Sequence, residues 1–258
     1  VGEIADDVVP ALAWLPLAGA LEVARIGCDA LAPRLILGER GRAIPLGTLL
    51  GAHLVAHAVM NVMPAGRGSS EVVKATLFGP YVGAGPAVAM GTTNQANLLI
   101  ASANFSLFCA AAAWLSDVDA IIVVSIVVHF VVLFVSGLAM RIGATNDRVE
   151  RFIAGRFPRL GARMKLFHTA SRETALLEPA PILAMMLGRA IQTAQYAVLA
   201  IAVGVPVGVL GALTVQGINL VAAAVGVMVP GQLGSSEAIF AGAADALGKK
   251  RQQQLLAE

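Results

Sequence analysis

Charge is what this chain has least of. Asp, Glu, Lys and Arg make up 13% of its 258 residues, where an ordinary soluble domain carries about 25%. So few charges cannot coat a globule of this size, which argues against a soluble enzyme, a nucleic-acid-binding module or a disordered chain. Aromatics are scarce at 5%, and the only two cysteines, Cys28 and Cys109, stand far apart in apolar surroundings, so no disulfide framework is suggested. There is no P-loop, dinucleotide glycine fingerprint, Cys-x-x-Cys pair or Gly-x-Ser-x-Gly elbow. ATP-driven transport would therefore need a separate partner. Strict polar/apolar alternation is missing, which argues against an outer-membrane barrel. No cleavable leader is visible, and the chain opens on Val1 rather than Met.

What fills the chain is hydrocarbon. Hydrophobic residues reach 57% and the mean hydropathy is +0.78. No acidic or basic residue occurs in 75–116, 120–140 or 190–236. A spanning helix needs about 20 mostly apolar residues, so the first and third windows exceed one pass. The expectation is an all-α, polytopic integral membrane protein forming a single transmembrane domain over 1–258. Helices are expected over 43–63, 69–78, 86–115 (one long helix or a kinked pair), 120–140, 181–203, 207–229 and 235–247. The positive-inside rule places the Arg34–Arg42 region and the basic stretch 141–175 in the cytoplasm, and the Asp117/Asp119 turn outside. That basic stretch fits an amphipathic surface helix or a solvated loop.

A self-match at an offset of 166 residues is the most informative pattern. The segments 54–71 and 220–237 agree at ten of 18 positions, and five of the ten spell Pro-x-x-x-Gly-Ser-Ser-Glu. Each copy reads as a helix, a break at Pro64 and Gly68 or at Pro230, Gly231 and Gly234, and a new helix capped by serine with glutamate in its first turn. Paired breaks in two halves, here about 43–140 and 176–247, indicate discontinuous or re-entrant helices of an internal repeat, inverted if an odd number of crossings separates the copies. Such breaks are tolerated only inside protein or beside a water-filled cavity.

Glu71 and Glu237 then become candidate intramembrane carboxylates facing a polar cavity. The alternative is that each merely caps its helix or lies at the interface. Arg67 and Lys74 flank the first glutamate, while Leu233 and Phe240 stand at the matching places of the second copy. The two cations suit an anionic lipid phosphate, or one of them pairs internally with Glu71. Asn61, a turn before the first break, joins the substrate-binding candidates. Arg189 shares a helical face with Gln192 and Tyr196, as a counter-charge or, in the preferred reading, snorkelling to the interface. Asn94, Gln95, Asn97 and Asn104 suit interhelical hydrogen bonds. His53 and His57 lie one turn apart without a third ligand, and His129 reads as a packed polar residue; no metal and no cofactor is expected.

Three segments carry a family resemblance: Glu22-Val-Ala-Arg25-Ile-Gly-Cys28-Asp29, Asn61-Val-Met-Pro64-Ala-Gly-Arg67-Gly68-Ser-Ser-Glu71, and Val229-Pro230-Gly231-Gln-Leu233-Gly234-Ser-Ser-Glu237. Together they resemble the lysylphosphatidylglycerol synthase transmembrane, or flippase-like, family over most of the chain. Unlike the family pattern, two serines precede Glu71 and the family's outermost spans are not evident, so a chain shortened at both ends is expected. The resemblance implies a multi-pass protein of the bacterial inner membrane that moves a phospholipid, aminoacylated or not, or an isoprenoid-type lipid. The soluble aminoacyltransferase domain of bifunctional relatives has no room here, so a transporter rather than an enzyme is expected. Alternatives are an ion- or proton-coupled solute transporter and a non-catalytic scaffold for a lipid or glycan synthase. Membrane lipids are the expected partners, with a homodimer or a partner synthase in addition and no nucleic acid.

Overall fold

A computed structural model describes residues 11–63, 66–157, 161–173, 177–205, 207–226 and 241. Among them the chain is all-helical. The helices are α1 (Leu15–Leu37), α2 (Leu46–Val62), α3 (Gly66–Val82), α4 (Ala84–Leu115), α5 (Ala120–Thr145), α6 (Asp147–Arg156), α7 (Gly161–Arg172), α8 (Pro179–Ala202) and α9 (Val209–Val225), with short 3₁₀ segments at Leu12–Trp14 and Gly38–Ala43. Three of them, α4, α5 and α8, are long and apolar enough to cross a bilayer. The other strongly apolar helices, α2 and α9, have 17 residues each, about 25 Å against a hydrocarbon core of about 30 Å.

The residues explain where these helices start and stop. α4 is one continuous helix of 32 residues. Pro86 lies in its first turn, where a missing N–H forfeits no helical bond. α3 differs from the expected 69–78: it begins at Gly66 and runs through Pro80 to Val82. Gly83 ends it with φ +90°, a left-handed conformation that glycine adopts without strain. The Gly83 amide donates to the Gly79 carbonyl at 2.8 Å, and the Gly83 carbonyl accepts from the Ala87 amide at 3.1 Å. One residue thus closes one helix and opens the next. α2 and α3 pack on one another, and their junction is tight. A Cβ at Gly66 would fall 2.1 Å from the Met60 carbonyl oxygen, so only glycine fits.

The basic stretch holds two short helices rather than one. Asn146 accepts from the Arg148 amide at 2.8 Å as the N-cap of α6. α6 is tied to α7 by Arg172 Nη2 donating to Asp147 Oδ2 at 3.0 Å and by His168 Nδ1 lying 3.1 Å from Glu150 Oε2.

By internal contacts the chain forms two compact units. One takes the described parts of Val1–Ile26, Ser102–Val131 and Leu187–Glu258. Its core is Phe105, Cys109, Ile122, Ile126, Ile218 and Leu220. Gly217 lets backbone approach there, since a Cβ would fall 2.8 Å from that of Cys109. The other takes the described parts of Gly27–Ala101 and Val132–Met186. It has one cluster around Ile44, Phe78 and Met90 and a second around Ile100, Ile182 and Met185.

Candidate functional site

Glu71 is the sixth residue of α3, past its first turn, so it does not cap the helix as the serine-glutamate pattern suggested. The physical reason is that the helix starts at Gly66, three residues before the expected start at 69. Ser70 instead donates its hydroxyl to the Arg67 carbonyl at 2.7 Å. The Glu71 carboxylate turns inward. Its Oε1 accepts from Lys74 Nζ at 2.8 Å and from Asn94 Nδ2 of α4 at 2.9 Å. The side chains of Lys74 and Glu71 are 8% and 12% exposed, so the pair is essentially desolvated. Of the two readings of Lys74, the structure thus contains the internal ion pair. α4 comes this close because residue 91 is glycine: a Cβ there would sit 3.3 Å from that of Glu71.

Beside this polar knot runs an open groove of about 490 Å³. α3 contributes Gly68, Glu71, Ala75 and Gly79, spaced three or four apart on one face, and α4 contributes Val88, Gly91, Thr92 and Gln95. Its wall is small and apolar apart from the carboxylate, Thr76, Thr92 and Gln95. Among the described residues, Glu71 Oε2 is buried with no hydrogen-bond partner, as is Asn94 Oδ1. A buried acceptor without a donor is costly unless something in the groove supplies one. The geometry therefore suits a ligand with an apolar body and a hydrogen-bond donor or cationic end.

Arg141, the first residue of the basic stretch, is wholly buried in the same unit. Its Nη1 donates to Thr93 Oγ1 at 2.6 Å, and Glu178 acts on it electrostatically. Thr93, Asn94 and Asn97 form a buried polar stripe on α4. That stripe, at i, i+1 and i+4, was the available signal for a partner cation. Gly66 was also missed, because its need is set by Met60 across the turn.

The remaining candidates are spread more widely. Asn61 is in the last turn of α2 and Arg67 in the first turn of α3. Gly68 lines the groove. Pro64 lies outside the described residues, as do Pro230, Gly231, Gly234 and Glu237, so the second copy of the repeat is seen only through 220–226.

Arg189 belongs to the other unit. It is the eleventh residue of α8 and does not snorkel. Its guanidinium donates to Gln192 Oε1 at 3.1 Å and to the hydroxyl of the buried Ser102 at 3.2 Å, polar partners nearer than the helix end. Gln216 of α9 donates to the same Gln192 oxygen at 3.1 Å. Nearby, Ser106 and His129 Nδ1 share a hydrogen bond of 2.9 Å, the packed role expected of that histidine. Among the described residues, one group could hold a metal ion, Asp147, Glu150 and His168, with ligand atoms within 4.8 Å of one another. Arg172 is already bonded to Asp147 there.

Apolar spans, buried polar stripes and a carboxylate set at helix depth define a multi-pass α-helical membrane protein. The chain belongs to the family described as the lysylphosphatidylglycerol synthase TM region, which matches residues 6–257. No curated protein and no solved structure matches it.

Proposed function

We propose that this protein moves a lipid across the bacterial inner membrane. An acyl or isoprenoid chain lies along the α3/α4 groove while the polar head engages Glu71. The observation that carries this reading is a desolvated carboxylate, one oxygen of which has no partner among the described residues, on a residue that lines an apolar groove of ligand size. Membership of a lipid-associated membrane family supports it. Lys74 and Asn94 hold the carboxylate in place, and its free oxygen selects a donor such as a headgroup ammonium or hydroxyl. Re-entrant hairpins at the two breaks, with Glu237 as the counterpart of Glu71, complete the proposal.

The test is translocation of labelled phosphatidylglycerol and lysyl-phosphatidylglycerol in vesicles reconstituted with the full chain. Glu71→Gln is expected to slow transfer at least about tenfold, the loss of one charged hydrogen bond. Wild-type transfer no faster than in protein-free vesicles, or an unaffected Glu71→Gln variant, would overturn the reading.

A further inference from the structure

The helix that follows the α5 span presents a face that none of the described residues covers. α6 starts one residue after α5 ends, Asn146 standing between them, so it is tethered where the chain leaves the bilayer. Glu150, Ile153 and Ala154 are its half-buried residues, three or four apart, and they mark the side toward α7. The opposite side carries Arg148, Arg151, Phe152 and Arg156, all exposed, with Val149 at its margin. Phe152 is 73% exposed, an unusual position for an aromatic ring between arginines in open water. Arg151 Nε reaches only the Asp147 carbonyl at 3.3 Å. Among the described residues, neither Arg148 nor Arg156 has an acidic partner; the acids of α6, Asp147 and Glu150, are engaged by Arg172 and His168.

We propose that this outer face of α6 docks on the anionic surface of the cytoplasmic leaflet, its three arginines on lipid phosphates and Phe152 inserted at the acyl boundary. The occupant follows from charge and from place. Arginine forks match phosphate oxygens, and an aromatic flanked by cations is the composition of a helix lying in an interface. Because α6 is joined to a spanning helix through one residue, the nearest extended surface of opposite charge is the bilayer itself. The inference is independent of the lipid-transport reading, since it concerns a peripheral contact and not the groove.

The test places an indole on the face. Phe152→Trp is introduced into the full chain with Trp14→Phe and Trp114→Phe, and the protein is reconstituted into vesicles of phosphatidylcholine alone or mixed with phosphatidylglycerol. With phosphatidylglycerol present, brominated acyl chains are expected to quench the indole, and its quenching by aqueous acrylamide should fall by about threefold. Adding Arg148→Gln, Arg151→Gln and Arg156→Gln, or raising the salt, should reverse both changes. Equal acrylamide quenching in both vesicle types and in detergent would overturn the proposal. Protection that appears only when a soluble acidic protein is added would do the same and assign the face to a protein partner.

Discussion

Lys74 Nζ lies 2.8 Å from Glu71 Oε1, one turn along α3, and both side chains are withdrawn from solvent. The pair has consequences for stability and for activity that can be separated. Removing one member of a buried ion pair strands the other charge and costs about 3–5 kcal/mol, whereas replacing both by apolar or neutral groups is often close to neutral. Lys74→Met is therefore expected to destabilise the protein strongly, and Glu71→Gln/Lys74→Met to recover most of that loss. Unfolding of the four species of this double-mutant cycle in mixed micelles measures it. Additive losses would mean that the two groups do not sense each other.

Two glycines at the same break should behave oppositely. Gly66→Ala forces a methyl to within 2.1 Å of the Met60 carbonyl oxygen and should cost about 1–3 kcal/mol by overpacking. Gly68 has open space around it. Gly68→Leu should leave the fold intact, even gaining about 0.5–1 kcal/mol of helix propensity, while filling the groove and lowering lipid transfer. Thermal unfolding and the vesicle assay, run in parallel on both variants, read the contrast.

Arg141 predicts a gradient. Its guanidinium is fully buried and bonded to Thr93 Oγ1 at 2.6 Å. Thr93→Ala removes one charged hydrogen bond and should cost about 1.5–3 kcal/mol. Arg141→Ala leaves Glu178 without its counter-charge and should cost about 3–5 kcal/mol. Similar losses from both would place the main energy elsewhere.

Exposed pairs should matter little. Arg40 and Glu173 meet at 2.9 Å with about half of each side chain in solvent. Arg40→Gln is expected to change stability by less than about 1 kcal/mol, and the difference should shrink further in high salt. Equilibrium unfolding at two ionic strengths is sufficient to check it.

The long helices were readable because a bilayer demands unbroken apolar runs, and charge-free windows reveal them. α4 (Ala84–Leu115) and α5 (Ala120–Thr145) match the expected 86–115 and 120–140 to within a few residues. Helix ends were less readable. α3 runs past Pro80 to Val82 although the ring lacks the N–H that would bond the carbonyl of residue 76, and its start depends on Gly66 meeting Met60, a contact between helices that local pattern does not encode. Glu71 stood out in the sequence through the repeated Ser-Ser-Glu, but its partner Asn94 stands 23 positions away, and the helix starts at Gly66, too early for the glutamate to lie in its first turn. Arg141 was hidden because it adjoins a run of surface arginines and differs from them only by its burial against Thr93. Arg189 was misjudged for a related reason: Ser102 offers a bond that sequence neighbours do not reveal.

Gly83 has one more consequence. With a single residue joining α3 to α4, positions nearly equidistant from that fold point come opposite each other: Glu71 is twelve residues before it and Asn94 eleven after. The alignment of carboxylate and amide is thus counted out from the bend, like teeth on a closed zip. One residue added between Glu71 and Gly83 would swing the carboxylate by about 100° around its helix and rise it about 1.5 Å, uncoupling it from Asn94 without altering a single side chain in the groove.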